Sequence, residues 1–203
     1  MNRKLGWWFS VLIASACARA LGQETLHDNS LGDLFVRGKY ELNLSSGVMF
    51  SPIGADHARP TLNYTLSGLE LGWMLTDVNR SGWLAGNVEL AGEVIGGAAF
   101  YGPGNYLAGG TAWARYNFVQ PGWRVIPYIQ GGAGLEAIDM DSELIGGHFA
   151  FNLNIGAGAR YLVDNNWSIN VECLYQHLSN ATIHQHDVGI NAVGPMLSVS
   201  YFF

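Results

Sequence analysis

From Lys39 to the end, polar and apolar side chains alternate with a period of two through eight successive segments. A period of two puts consecutive side chains on opposite faces of a strand, so each segment has one wet and one greasy face. No segment of this body reaches the ~18 consecutive apolar residues of a membrane helix. In the first segment Tyr40, Leu42, Leu44, Val48 and Phe50 oppose Glu41, Asn43 and Ser45. The second, about Leu62 to Thr76, carries Tyr64 and Leu66 on even positions but Leu69, Leu71, Trp73 and Leu75 on odd ones, which predicts a bulge at Ser67-Gly68. In the third, Leu84, Val88, Leu90 and Val94 oppose Asn87, Glu89 and Glu93. The remaining five run about Tyr106–Phe118, Val125–Glu136, Phe149–Tyr161, Trp167–Ser179 and Ile190–Phe203. Eight such strands form a closable set, an all-β antiparallel barrel.

The polar face decides which solvent the barrel meets. It collects Glu41, Glu89, Glu93, Arg115, Glu136, Arg160 and Glu172, charges of both signs that can pair in a filled interior, while the opposite face is almost uncharged. In water that outer band is a large exposed apolar patch; lipid suits it better. Composition agrees, with 13% charged residues against the usual ~25%. The turns Asp77–Gly82, Gln120–Gly122 and Asp164–Asn166 are short, and each is followed at once by a tryptophan: Trp83, Trp123 and Trp167. The other four connections are generally longer. Short turns with an aromatic row at one end and longer loops at the other describe a bacterial outer-membrane barrel with periplasmic turns and extracellular loops. The last strand sets Leu197, Val199, Tyr201 and Phe203 outward and ends on an aromatic residue.

Residues 1–22 read as an export signal: Arg3 and Lys4, an apolar core from Leu5 to Ala16, then small residues suited to cleavage. Residues 23–38 form an expected N-terminal periplasmic arm and residues 39–203 the barrel. Without the signal the formal charge falls from −6 to −9, which disfavours a nucleic-acid partner. Cys173 is then the sole cysteine, so no internal disulfide is expected.

The seventh segment breaks its own pattern. His177 and Ser179 lie on the apolar face with Ile169, Val171, Cys173 and Tyr175. An unpartnered polar group on such a face costs a few kcal/mol, so the pair needs a reason to be there. Both sit near the extracellular end, and the outward parity of the next strand brings Asn191 to the same side across the hairpin.

The motif His177-Leu178-Ser179-Asn180-Ala181, with Gly189-Ile190-Asn191 and a terminal strand ending in Phe203, resembles the lipid A 3-O-deacylases of the PagL family. The resemblance implies an eight-stranded outer-membrane barrel whose active site lies on its lipid-facing outside. It implies Ser179 as nucleophile toward a 3-linked hydroxyacyl ester of lipid A, with His177 as its base. Asn180 matches a family residue associated with the oxyanion, a role that requires the strand to end or twist at Ser179. The backbone N–H of Asp187 is a second candidate for that pocket. Asn191 stands where the family places the glutamate that orients the histidine. An amide carbonyl can accept the imidazole hydrogen bond but brings no charge.

The partner implied is lipid A or lipopolysaccharide in the outer leaflet; no cofactor and no metal are expected. His184, His186 and Asp187 read as a solvated loop tip, because they supply no fixed ligand geometry. The rival reading is a non-enzymatic small barrel serving adhesion, resistance or membrane integrity, or a deacylase homologue without activity.

Overall fold

The computed structural model describes residues 31–51, 61–80, 82–139, 148–183 and 189–203. The expected signal, the first part of the arm, and the His184–Asp187 tip lie outside the described residues. Eight strands follow in order: β1 Tyr40–Met49, β2 Asn63–Met74, β3 Asn87–Tyr101, β4 Tyr106–Asn117, β5 Val125–Ile138, β6 Phe149–Leu162, β7 Trp167–Ser179 and β8 Ile190–Phe202. Each pairs antiparallel with its neighbours, and β1 closes the barrel on β8 through pairs such as Leu42 with Tyr201 and Leu44 with Val199. Closure leaves no unpaired sheet edge, the condition for crossing lipid with strands. The outer face is apolar all round, with Leu44, Val94 and Ile155 each more than 60% exposed.

The alternation determines the faces, with two corrections. No bulge occurs at Ser67-Gly68: β2 alternates without a break, so Tyr64 and Leu66 point inward while Leu69, Leu71 and Trp73 point outward. The register shift lies instead between Asn63 and Tyr64, opposite Tyr101 and Ala99. The physical reason is that the interior is not polar along its whole height. Toward the long loops Tyr64 and Leu66 join Ile95, Leu107, Trp113, Leu174 and Met196 in an apolar inner cluster. The second correction is Leu84, which belongs to the 3-10 turn Gly82–Leu84 and not to β3.

Mid-barrel, the interior charges pair as their mixed signs suggest. Arg115 meets Glu70 at 2.8 Å and Glu89 at 2.9 Å; Arg160 meets Glu89 at 3.1 Å and also binds Glu41. Each guanidinium lies 5.3 Å from the centroid of the Tyr128 ring. Mutual pairing is what makes five buried charges tolerable, since each alone carries a large desolvation cost. At the short-turn end a 3-10 turn, Leu31–Phe35, lays Leu34 and Phe35 against Met74, Val119, Ile126, Leu162 and Phe202. Asn87 Nδ2 donates to the Phe35 carbonyl at 2.9 Å. The end of the expected arm therefore packs into the barrel mouth.

Candidate active site

The site grows out of the last turns of β7 and the start of β8. Gln176 and Leu178 point inward and are buried, which sends Tyr175, His177 and Ser179 outward. From inside, Tyr64 Oη donates to Gln176 Oε1 at 2.5 Å and Gln176 Nε2 donates to Glu136 Oε1 at 3.0 Å. The residue between Tyr175 and His177 is thus tied to two other walls of the barrel. A strand held this way presents its outer face in a fixed direction.

The register fixes the outer neighbours. His177 stands opposite Asn191 on β8 and Leu153 on β6, and Ser179 opposite Phe151. Asn191 Oδ1 lies 2.6 Å from His177 Nδ1. With the carbonyl oxygen facing it, Nδ1 carries the hydrogen, and the neutral imidazole then presents a lone pair at Nε2. The same oxygen accepts a second hydrogen bond, from Tyr175 Oη at 2.9 Å. Ser179 shares their face, half-buried, one strand repeat from His177, roughly 6.5 Å at Cα. Among the described residues no hydrogen bond joins Ser179 to His177. Such contacts often tighten only once substrate is bound.

β7 ends at Ser179, and the chain turns at once. Ile183 N–H donates to the Asn180 carbonyl at 3.2 Å across Ala181 and Thr182, whose φ values are 54° and 60°. Two positive φ angles inside an i to i+3 hydrogen bond are the signature of a type I′ turn, here built without glycine. Asn180 continues the inward set of Gln176 and Leu178 and is buried, so its side chain does not share the face of Ser179. Asp187 lies outside the described residues. At Gly189, φ +63°, a Cβ would stand 3.3 Å from the imidazole Cε1 of His177.

The structure therefore brings His177 and Asn191 into contact, sets Ser179 beside them and turns Asn180 inward. Two contributors escaped the sequence reading, Tyr175 and Gly189. Tyr175 was visible as a neighbour on the same face, but its reach to Asn191 is a diagonal contact that only the β7–β8 register defines. Elsewhere among the described residues, Glu41, Glu70 and Glu89 bring carboxylate oxygens within 4.8 Å of one another, yet Arg115 and Arg160 already occupy that space. The interior cavity, about 40 Å³, is lined by Glu70, Glu93, Arg115, Gln130 and Glu172 among others, and by none of the site residues.

Comparison with known proteins supplies the context. The crystal structure of the outer membrane enzyme PagL is similar with a TM-score of 0.55 and 18% identity, over 78% of this chain and 97% of that one. Neisserial surface protein A gives 0.54 and 16%, over 81% and 96%. The N-terminal β-barrel domain of Pseudomonas aeruginosa OprF gives 0.52 and 22%, over 82% and 98%. These likenesses establish the barrel fold. A search of curated proteins finds no match. The family model for lipid A 3-O-deacylase (PagL) matches residues 51–200, which takes in β2 through β7 and most of β8. The chain accordingly belongs to the lipid A 3-O-deacylase (PagL) family, as a multi-pass β-barrel of the bacterial outer membrane.

Proposed function

We propose that this barrel is an ester hydrolase of the outer leaflet that removes a 3-O-linked hydroxyacyl chain from lipid A. The observation that supports it most is the shared acceptor Asn191 Oδ1, 2.6 Å from His177 Nδ1, which leaves Nε2 free on the face that carries Ser179. His177 Nε2 takes the Ser179 hydroxyl proton as Oγ bonds to the ester carbonyl carbon. The tetrahedral intermediate breaks its bond to the sugar oxygen, which receives that proton. A water activated by the same nitrogen then cleaves the acyl-serine, releasing the hydroxy fatty acid and restoring Ser179. The backbone N–H of Asp187 is a proposed donor to the oxyanion, and Asn180, whose side chain faces inward, can donate only if the end of β7 twists when substrate binds. The surrounding outward residues Leu153, Ile155 and Val171 are exposed and apolar, a surface against which acyl chains can lie while the substrate stays in the membrane.

A second reading, a barrel without hydrolytic activity, is favoured by the amide at position 191, which offers no charge to a forming imidazolium. One experiment separates the two. Lipid A from Gram-negative cells expressing the wild type, or Ser179→Ala, is compared by mass spectrometry, with heat-dependent gel migration verifying both barrels. Loss of one hydroxyacyl chain with the wild type alone supports hydrolysis through Ser179. Intact lipid A in both overturns it in favour of the second reading.

A further inference from the structure

An asparagine that orients a histidine can sit two ways round. With its carbonyl toward the ring, Nδ1 holds the hydrogen and Nε2 is a base. With its NH2 group toward the ring, Nδ1 accepts, the hydrogen moves to Nε2, and Nε2 can no longer take a proton from a serine. A glutamate has no such ambiguity, because both its oxygens accept. The exchange of acid for amide therefore removes charge and also leaves the orientation of the group to be decided by something else.

We infer that Tyr175 decides it: Tyr175 is a positioning residue that holds the Asn191 carbonyl toward His177 and so selects the imidazole tautomer with a free Nε2. This rests on the hydrolytic reading of the site. Tyr175 lies opposite Val193, so Asn191 is its diagonal neighbour on β8, within reach of an aromatic side chain. Its hydroxyl reaches Asn191 Oδ1 at 2.9 Å, the same atom that His177 Nδ1 meets at 2.6 Å. A phenol is a stronger hydrogen-bond donor than acceptor, so it favours the carbonyl over the NH2 group in that position. The contact lies on the half-buried outer face, where a hydrogen bond is worth more than at a fully wet surface. A tyrosine that merely anchored the barrel at the headgroup level needs no partner on Asn191.

The test is Tyr175→Phe, which keeps the ring and removes only the hydroxyl. In refolded barrels carrying 15N-labelled histidine, the imidazole nitrogen shifts of His177, assigned by comparison with His177→Gln, report the tautomer with no substrate present. The wild type is expected to show Nδ1–H and the variant a mixture of both tautomers. If wild type and variant show the same tautomer, the inference is overturned whether or not the protein hydrolyses lipid A. In the hydrolysis assay the variant should lose about five- to tenfold in kcat with KM little changed, the size of one hydrogen bond. That loss should shrink in the Asn191→Glu background, where the orienting group has no wrong way round. An equal loss in both backgrounds also overturns the inference. An inactive wild type whose tautomer nonetheless responds to Tyr175→Phe sinks the hydrolytic reading and leaves the positioning contact standing.

Discussion

Gly189 lies against His177: a Cβ built on it stands 3.3 Å from the imidazole Cε1 and 4.0 Å from Nε2. Its φ of +63° adds a second reason for glycine, because a side chain in that region costs roughly 1 kcal/mol or more. Gly189→Ala therefore pushes on the ring that the proposed mechanism turns toward Ser179. The expected outcome is a drop in hydrolysis well beyond the drop in stability, read as kcat on lipid A beside heat-dependent gel migration. A variant equally active would mean that the ring has room to move.

Asn191 supplies an acceptor but no charge. In a serine protease the change from acid to amide costs about 10⁴ in turnover, much of it through the wrong tautomer. Here Asn191 Oδ1 faces both His177 Nδ1 and the Tyr175 hydroxyl, so in the proposed mechanism the tautomeric part of that cost is met and the charge part is not. Asn191→Glu should raise kcat, while Asn191→Leu, which removes the acceptor, should lower it severely. Steady-state rates of the three proteins decide the matter; loss of activity with glutamate would show that the amide is used in some other way.

How far the sequence goes is visible in these residues. The eight strands and their faces were legible because lipid outside and paired charge inside impose opposite polarities on alternate positions. His177, Ser179 and Asn191 stood out as the exceptions on the greasy face. Tyr64 and Leu66 misled because the interior turns apolar near the long loops, so an inward leucine looks like an outward one. Glu70 belonged to the inner face by parity, yet its role appears only when Arg115 from β4 reaches it. Tyr175 and Gly189 were illegible for a related reason: their contacts depend on register and backbone φ, which no residue pattern encodes. Asn180 shows the reverse, a residue marked by its motif that the fold turns inward.

The charge network predicts a stability effect without a catalytic one. Arg160 is 1% exposed and binds Glu41 and Glu89, both fully buried. Arg160→Met removes a cation and leaves three carboxylates, Glu41, Glu70 and Glu89, sharing Arg115, a change worth about 3–5 kcal/mol when a buried pair is broken. The barrel should unfold at distinctly lower urea, followed by gel migration after refolding into lipid vesicles. Replacing Glu41 by Gln in the same chain should recover part of the loss, because one uncompensated carboxylate disappears with it.

The turn after Ser179 sets stability against activity. Ala181, φ 54°, is exposed and sits in the left-handed region, where a Cβ costs roughly 1–2 kcal/mol. Natural chains retain such strain mainly where the surrounding structure uses it, and here it bends the backbone sharply, two residues past the proposed nucleophile. Ala181→Gly removes the clash but frees the unfolded chain, so the net gain in stability should be small, about 0.5 kcal/mol. The same freedom loosens the hold on Ser179, and kcat should fall while KM stays near its original value. Paired unfolding and kinetic measurements resolve the two effects: a more stable barrel that hydrolyses more slowly indicates that the strained turn fixes the nucleophile. A more stable barrel of undiminished rate indicates that the strand, pinned from within through Gln176, holds Ser179 without help from the turn.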